Sequence, residues 1–292
     1  MEQVQKQAHA KINLAIDVVA RRTDGYHDLK MIMQSLALHD TVTLTKLQEQ
    51  GARITSNSTR MPLDETNIAC KAAKHMLELF SLRQGVHIDV FKRIPIAAGL
   101  AGGSSNAAAV LCGMNELFEL GLTKDKLAEI GKSLGADVPY CIYGGTMLAQ
   151  GVGDILTLLP RHPKTVVVLA KPQRGISTGK VFAKFSREQV GEKHPDFATI
   201  LSGLNTSDVD EISRGIMSGM ANVLESITAA ERPIICDIKA EFLRNGAKCA
   251  LMSGSGPTVF AYFADEKQAN AAATALRCKF PQLNEVIVTC IE

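Results

Sequence analysis

The sequence predicts an α+β fold made of two domains, and three observations lead to this prediction. The length of 292 residues exceeds what one hydrophobic core usually supports. The composition, 46% hydrophobic and 21% charged, is typical of a globular protein. Strand-like and helical segments occur on both sides of a polar break with two prolines at 159–163. We therefore expect one domain over 1–160 and a second over 161–292.

Periodicity defines the elements of the first domain. Apolar residues at alternate positions predict strands, and apolar residues three or four positions apart predict helices. Asp24 and Gly25 form a polar turn after the first strand. The predicted strands are 8–20, 41–47, 86–91 and 146–150, and the predicted helices are 66–80, 104–119 and 123–134.

The second domain begins with a short apolar run, TVVVLA, which predicts a buried strand at 165–170. Strands and helices then alternate in an order typical of a split βαβ arrangement. The predicted helices are 208–228, 233–245 and 266–279, and the further strands are 248–252, 257–263 and 285–290.

Charge and cysteine content exclude several classes of function. Lys and Arg number 32 and Asp and Glu 30, so a strong electrostatic nucleic-acid binder is not expected. No apolar stretch is long enough to cross a membrane, and no signal peptide is recognisable. The seven cysteines include no CxxC pair, which argues against disulfides and structural zinc. We expect reduced, mostly buried thiols in a cytoplasmic protein.

The densest functional signal is the glycine-rich segment 95–107, PIAAGLAGGSSNA, between a predicted strand and a predicted helix. Glycines allow close backbone approach, so successive amide N–H groups at a helix N-terminus can surround a phosphate. Ser104 and Ser105 add hydroxyl donors. The alternative is a tight turn in which one of these serines caps the helix. The P-loop and dinucleotide-binding spacings are both absent.

Two other polar groups interrupt apolar segments. Alternation places Lys11 and Asn13 on one face of a strand, where Lys11 either faces solvent or stabilises phosphoryl charge. Asp137, in the stretch GADVPY, either caps a turn that precedes Pro139 or takes a proton from a substrate hydroxyl.

Two loops have similar alternatives. Tyr26 and His27 follow the Asp24–Gly25 turn, and they form either a simple exposed turn or a pair that stacks on a base and hydrogen-bonds its edge. The second glycine loop, 252–258, is either an ordinary hairpin connection or a loop that packs behind the phosphate site.

Taken together, these segments resemble the GHMP kinase superfamily, and within it the branch that acts on 4-diphosphocytidyl-2-C-methyl-D-erythritol. The glycine loop and the last loop are shared by the superfamily, whereas the stretches KINL, DGYH and GADVP are specific to that branch. The matching segments are 10–14, 22–27, 95–109, 135–139 and 253–258.

The resemblance implies a ribosomal-S5-like N-terminal domain, a ferredoxin-like C-terminal domain and a cleft between them. It implies ATP-dependent phosphorylation of the substrate's 2-hydroxyl, giving the 2-phosphate and ADP, in non-mevalonate isoprenoid precursor synthesis. ATP would bind with Mg²⁺ on its phosphates. The partner would be the small cytidylated substrate, with no nucleic acid or membrane, and the chain would be a monomer or a weak homodimer.

The resemblance also implies roles for individual residues. Asp137 would be the catalytic base and Lys11 its catalytic partner. Segment 176–178 with Phe182 would close over the cytosine, opposite Tyr26. The implied ATP-binding residues are Pro95, Ala97, Ala98, Gly99, Leu100, Ala101, Gly102, Gly103, Ser104, Ser105, Asn67 and Lys92. The implied substrate-binding residues are Asn13, Tyr26, His27, Thr178 and Phe182.

The sequence departs from the family pattern at a few positions. His9 stands where many relatives have Pro, Ala98 and Ala101 replace glycines, Asn106 replaces Asp, and Gly179–Lys180 is unusual. Two other functions remain: a homoserine or mevalonate type of GHMP kinase, and a nucleotide-binding sensor without catalysis. Tyr26 and His27 argue against the first because those substrates carry no base. Lys11 and Asp137 argue against the second.

Overall fold

A computed structural model describes residues 1–185, 194–206 and 209–292 of the chain. Over these ranges the backbone forms two compact units. Unit 1 consists of residues 1–10, 38–96 and 101–144, and unit 2 consists of residues 11–37, 97–100 and 145–292.

The units are interleaved in sequence because two strands are unusually long. Strand β1 (Gln3–Arg21) and strand β2 (His27–Leu47) each contribute one half to each unit. The division of the units therefore does not follow a single cut of the chain. The boundary predicted between residues 160 and 161 remains a proposal about domains.

In unit 1, a small sheet carries four helices. The second half of β2 pairs antiparallel with β4 (Gly85–Phe91), and β3 (Ala52–Ser56) pairs parallel with β4. The three predicted helices of this region are confirmed, with ends shifted by at most two residues, and the predicted strand 86–91 begins one residue earlier. The predicted strands 8–20 and 41–47 are parts of longer strands, 3–21 and 27–47, and the strand 52–56 and the short helix 138–143 were not predicted. The helices are α1 (Ile68–Leu79), α2 (Gly102–Leu117), α3 (Lys124–Lys132) and α4 (Val138–Tyr143). The core between helices and sheet includes Leu44, Ile88, Met76, Leu111 and Met114.

In unit 2, the remaining parts of the long strands make further pairings. The first half of β2 pairs antiparallel with β5 (Thr146–Gly151), which pairs with β6 (Ile155–Leu158). Strand β1 pairs parallel with the short β8 (Ala221–Asn222). A single bridge joins Leu36, at the end of this part of β2, to Ile291.

Unit 2 also contains a four-stranded antiparallel sheet with the order β11–β7–β10–β9. Within this sheet the order is 4-1-3-2, which confirms the split βαβ arrangement predicted from the sequence. The strands are β7 (Val166–Pro172), β9 (Cys249–Met252), β10 (Val259–Phe263) and β11 (Leu283–Cys290). The helices of this unit are α5 (Thr178–Lys184), α6 (Phe197–Asn205), α7 (Val209–Gly219), α8 (Glu225–Glu231), α9 (Ile234–Arg244) and α10 (Glu266–Lys279).

The prediction of one helix over 208–228 is wrong. Helix α7 ends at Gly219, β8 follows, and α8 starts only at Glu225. A Cβ on Gly219 would lie 2.6 Å from the carbonyl oxygen of Asp196, so the backbones approach closely here. The next residues then leave the helix to pair with β1. The apolar spacing continues through this break, which is why periodicity did not reveal it.

The expectation of mostly buried cysteines is also wrong. All seven thiols are free, but only Cys70 is buried, and Cys236 and Cys278 are exposed. Both exposed cysteines lie on helices that cover one face of the antiparallel sheet. Among the helices in the described ranges, none combines the length and apolar character that a membrane crossing requires.

Candidate active site

The glycine-rich segment leads into a helix that has no side-chain cap at its N-terminus. Helix α2 begins at Gly102, and its N-cap is Ala101, with φ of 56° and no side-chain capping bond. Ser105 Oγ instead donates to the carbonyl oxygen of His9 at 2.7 Å. The alternative in which Ser104 or Ser105 caps the helix is therefore wrong. Amides of the first helical turn have no acceptor within the helix and suit an anion.

The backbone of this segment turns through alternate left-handed residues. Ala97, Gly99 and Ala101 have φ of 54°, 75° and 56°. A Cβ at Gly99 would lie only 2.5 Å from the carbonyl oxygen of Ser253. Glycine is required at position 99 on both counts, while the two alanines adopt a conformation that is costly for them.

The second glycine loop packs directly on the first. Ser253 Oγ donates to the carbonyl oxygen of Gly99 at 3.0 Å. The loop also joins the neighbouring antiparallel strands β9 and β10. The loop 252–258 is therefore a hairpin connection, and it also packs on Gly99 of the glycine-rich segment. That this segment binds phosphate stays a prediction.

Lys11 and Asn13 form a buried pair on β1. Lys11 Nζ donates to Asn13 Oδ1 at 2.6 Å, and the two residues are 4% and 1% exposed. The prediction of a shared face is confirmed, and the alternative of a solvent-facing Lys11 is wrong. The backbone N–H of Lys11 donates to the carbonyl oxygen of Leu100 at 3.2 Å, which joins β1 to the glycine-rich segment.

Asp137 occupies the N-cap position of α4, with Pro139 in the first turn. Its side chain makes no capping hydrogen bond to the helix. The capping alternative is therefore right about where Asp137 lies relative to α4, but it gives no role to the carboxylate. A Cβ on Gly135 would lie 3.9 Å from Ser104 Oγ. The loop that carries Asp137 therefore lies beside the first turn of α2.

A buried carboxylate that sequence reasoning missed organises the approach to the glycine loop. Asp40 has no exposed surface and accepts bonds from the backbone N–H groups of Arg93 and Ile94 at 2.7 and 2.8 Å. Its other oxygen accepts from Asn106 Nδ2 at 2.8 Å and from Lys92 Nζ. The sequence signal for it was a carboxylate inside the otherwise uncharged stretch 31–45 of β2.

These contacts bear on two residues expected to bind ATP. The Lys92 side chain is only 7% exposed and is held by Asp40 and Asn106. A Cβ on Gly102 would lie 3.2 Å from Lys92 Nζ, so the ammonium group lies against the start of α2. Asn67 is the N-cap of α1: its Oδ1 accepts from Ala69 N and its Nδ2 donates to Pro62 O. ATP contacts for both remain predictions.

The turn before β2 presents Tyr26 to solvent. Arg22 bonds the carboxylates of Asp24 and Asp28 at 3.0 and 3.1 Å, and Tyr26 N donates to Asp24 Oδ1 at 3.0 Å. This backbone bond is the main cause of a lowered pKa of Asp24. The turn is thus ordered by its own side chains, while Tyr26 is 66% exposed.

His27, in contrast, is covered by aromatic rings. Phe182 stacks on it with ring centroids 5.4 Å apart, and Phe185 meets it edge-on at 5.9 Å. Burial, and to a smaller extent the charge of Arg21, lowers the pKa of His27 below its usual value. The ring is therefore neutral at physiological pH and can both donate and accept a hydrogen bond. Thr178 Oγ1 is 2.8 Å from Ser255 Oγ.

Each unit gathers a distinct set of the expected residues. Unit 2 holds Lys11, Asn13, Tyr26, His27, Ala97, Ala98, Gly99, Leu100, Thr178 and Phe182. Unit 1 holds Asn67, Lys92, Pro95, Ala101, Gly102, Gly103, Ser104, Ser105 and Asp137. Within the described ranges, no three His, Cys, Asp or Glu side chains converge as metal ligands.

Comparison with known proteins identifies the family. The profile of the GHMP kinases N terminal domain matches residues 67–145, and that of the GHMP kinases C terminal matches residues 189–282. The 4-diphosphocytidyl-2-C-methyl-D-erythritol kinase of Acetivibrio thermocellus is 45% identical over 95% of this chain and 96% of its own length. The chain belongs to the 4-diphosphocytidyl-2-C-methyl-D-erythritol kinase family.

Solved structures agree with this family assignment. A crystal structure of 4-(cytidine 5'-diphospho)-2C-methyl-D-erythritol kinase matches 99% of both chains with a TM-score of 0.83 and 30% identity. Homoserine kinase from Cytophaga hutchinsonii has a TM-score of 0.73 at 20% identity, covering all of this chain and 95% of its own, and shares the fold alone. The chain is thus a kinase with the two-domain GHMP fold of mixed α and β content, as the sequence predicted.

Proposed function

We propose that this kinase transfers the γ-phosphoryl group of ATP to the 2-hydroxyl of 4-diphosphocytidyl-2-C-methyl-D-erythritol, giving the 2-phosphate and ADP in isoprenoid precursor synthesis. One observation carries the proposal beyond the fold: the side chains of Lys11 and Asn13 form a buried pair, and the backbone N–H of Lys11 donates to Leu100 O in the glycine-rich segment 95–107, here called the phosphate loop. A desolvated ammonium group beside such a loop suits a reaction in which phosphoryl charge must be stabilised.

The phosphate loop would bind the triphosphate through backbone amides at the start of α2. The Ser105 hydroxyl already donates to the carbonyl oxygen of His9, so Ser104 is the serine of this turn that would donate its hydroxyl to the ligand. Because no three His, Cys, Asp or Glu side chains converge in the described part of the chain, a Mg²⁺ ion would be bound mainly by phosphate oxygens. Bound in this way, Mg²⁺ would neutralise charge on those oxygens.

Asp137 would act as the base. Its carboxylate is not used to cap α4, and its loop lies beside Ser104. The substrate 2-hydroxyl oxygen attacks the γ-phosphorus, the bond from that phosphorus to the bridging oxygen of ADP breaks, and the hydroxyl proton passes to Asp137. Lys11 would stabilise the negative charge that develops on the transferred group, with Asn13 holding its ammonium group in place.

Tyr26 and His27 would recognise the cytosine. An exposed aromatic side chain on an ordered turn is available for stacking, and a neutral imidazole can hydrogen-bond the base edge. Phe182 already packs on His27. Residues 176–178 and Phe182 would cover the base from the other side, as the family resemblance implies.

The test is a coupled ADP-release assay with the cytidylated substrate, homoserine and mevalonate. We expect turnover with the cytidylated substrate alone. Turnover with mevalonate or homoserine would assign the chain to another GHMP activity. ATP binding without turnover on all three would favour a nucleotide sensor.

The Asp137→Ala variant tests the base. We expect kcat to fall by about 10²–10⁴-fold because proton transfer loses its acceptor, with binding of ATP and substrate nearly unchanged in calorimetry. Asp237→Ala, which removes an exposed carboxylate from the first turn of α9, is the matched control and should keep wild-type kcat. Near wild-type turnover by Asp137→Ala would show that Asp137 is not the catalytic base.

A further inference from the structure

A buried amide in the break between α7 and α8 holds the second glycine loop. Asn222 is 5% exposed, and its Nδ2 donates to the carbonyl oxygens of both Met252 and Gly254 at 2.8 Å. Its Oδ1 accepts from Leu224 N at 3.0 Å. Both amide hydrogens and the amide oxygen are therefore used, so this side chain has one orientation.

A second side chain from the same segment also binds the start of this loop. Glu225 Oε2 accepts from Met252 N at 2.8 Å, while its Oε1 pairs with Lys239. The segment 222–225 thus binds both the N–H and the carbonyl of Met252 and the carbonyl of Gly254. No motif considered in the sequence included these two residues.

The part of the loop that Asn222 holds lies against the phosphate loop and Asn13. A Cβ on Gly254 would lie 3.1 Å from the carbonyl oxygen of Gly99 and 3.6 Å from Asn13 Oδ1. Ser253, the preceding residue, donates its hydroxyl to that same Gly99 oxygen. A shift of Gly254 therefore alters the packing of the phosphate loop and the acceptor of the Lys11 bond together.

Asn222 is also joined to the strand that carries Lys11. It lies opposite Ile16 in the parallel pairing of β8 with β1, and Val223 N donates to Ile16 O at 3.1 Å. One residue thus connects β1 to the glycine loop that supports Gly99.

We infer that Asn222 is a positioning residue for phosphoryl transfer: through Gly254 it sets the placement of residues 97–100 relative to the Lys11–Asn13 pair. The inference rests on the proposed function of that pair. Misplacement of reacting groups by about 1 Å can cost about 10²-fold in rate. Loss of the Asn222 side chain should therefore lower kcat.

The test compares Asn222→Ala with the control Asn245→Ala. Asn245 also donates its amide to two oxygens, both of Glu241, but lies at the end of α9. We expect kcat of Asn222→Ala to fall about 10–100-fold at saturating substrates with KM for ATP changed less than about threefold. The control should keep kcat, with rates corrected for the folded fraction. Equal kcat losses in both variants, or none in Asn222→Ala, would overturn the inference.

Asn222→Asp adds a pH signature. The introduced carboxylate keeps the size of the amide but cannot donate to the two carbonyls, whereas its protonated form can donate one bond. The ratio of variant to wild-type kcat should therefore rise between about pH 8 and pH 6, as that carboxyl gains a proton beside two carbonyl oxygens. A constant ratio would count against positioning through these bonds.

Hydrogen exchange of the free protein separates this inference from the proposed substrate. In Asn222→Ala, amides of 97–101 and the Lys11 N–H should exchange faster than in wild type or in Asn245→Ala. Unchanged exchange would refute the positioning role whatever the substrate is. Faster exchange in Asn222→Ala, together with a wild-type enzyme that does not phosphorylate the cytidylated compound, would refute only the proposed function.

Discussion

At the scale of single residues, Asp40 and Lys92 form a buried and extensively hydrogen-bonded ion pair in unit 1. The carboxylate accepts four hydrogen bonds and has no exposed surface. Burial of two charges is costly, and it is offset only when every donor and acceptor is used. The pair therefore acts as one unit, and removing one charge should harm the protein more than removing both.

We predict a large coupling energy between these two residues. Lys92→Met should lower the free energy of unfolding by about 3–5 kcal/mol because it leaves Asp40 charged and without its cation. Adding Asp40→Asn should recover part of the loss, with a coupling of about 2 kcal/mol in urea unfolding. The exposed pair Lys126–Glu129 is the control, with an expected coupling below about 0.5 kcal/mol. Additive losses at Asp40 and Lys92 would contradict the prediction.

Sequence periodicity predicted the placement of some residues of the candidate site but not of others. The shared face of Lys11 and Asn13 follows from the two-residue repeat of a strand, and their hydrogen bond confirms it. Burial of Lys92 depends on Asp40, which lies 52 positions away along the chain. A contact of that kind leaves no periodic trace in the sequence. The use of Asn67 as a helix cap was equally hidden, although Asn is a favoured residue at such ends.

At the scale of elements, helices α6 and α7 meet through two glycines. A Cβ on Gly203 would lie 3.0 Å from Ile216 N and 3.2 Å from the Cα of Gly215. The neighbouring atoms are backbone, so they can move only if one helix shifts. Close packing of this pair thus depends on the absence of a side chain at position 203.

We predict that Gly203→Ala destabilises the protein, although alanine is the better helix former. Separation of the helices should cost about 1–3 kcal/mol, which exceeds a propensity gain of about 1 kcal/mol. Gly179→Ala is the control because its Cβ would meet only Ser177 Oγ at 3.9 Å, and it should be neutral or stabilising. Urea unfolding checks both, and a more stable Gly203→Ala would show that the helices separate at little cost.

Elements with uninterrupted periodicity were predicted well, and the break after α7 was not. Amphipathic spacing indicates which residues are buried. The spacing therefore continues where the chain passes from a helix into a short strand that is also buried. The two residues of β8 are defined by pairing with β1 and by the side chain of Asn222. Both are long-range contacts, so single-sequence reasoning could not place them.

At the scale of the whole molecule, a buried histidine links stability to pH. His162 is 3% exposed, its Nδ1 lies 2.7 Å from the carbonyl oxygen of Pro163, and its Nε2 lies 3.3 Å from Tyr262 Oη. Donation from Nδ1 leaves Nε2 to accept from the tyrosine. Burial lowers the pKa of His162 from 6.5 to about 4, against a smaller opposing effect of the Pro163 bond.

We predict that His162 makes the folded protein acid-sensitive. Between the unfolded pKa of 6.5 and the folded value of about 4, the unfolded chain binds the proton and the folded chain does not. This contribution to stability is complete above pH 6.5, decreases as pH falls to about 4, and totals about 3 kcal/mol. His162→Gln should remove that part of the slope when urea unfolding of wild type and variant is compared at each pH. Parallel pH profiles would contradict the prediction.

The overall class of fold followed from the sequence, whereas the interleaving of the two compact units did not. The domain boundary between residues 160 and 161 stays a prediction. The proline-containing break at 159–163 separates two runs of secondary structure, as expected. Contacts instead group residues 11–37 with residues beyond 145. Long strands can serve two cores at once, and strand length beyond the apolar segment is not encoded in periodicity.

The bridge between Leu36 and Ile291 has a consequence for synthesis on the ribosome. Residues near position 36 are translated early, yet one of their backbone partners follows some 250 residues later. At about 5–20 residues per second, this part of β2 waits about 10–50 s for that partner. Strand β7 waits roughly half as long for β11, its neighbour in the antiparallel sheet. Unit 2 therefore completes its pairings only as translation ends, and its early apolar strands are the part of the nascent chain most in need of chaperone protection.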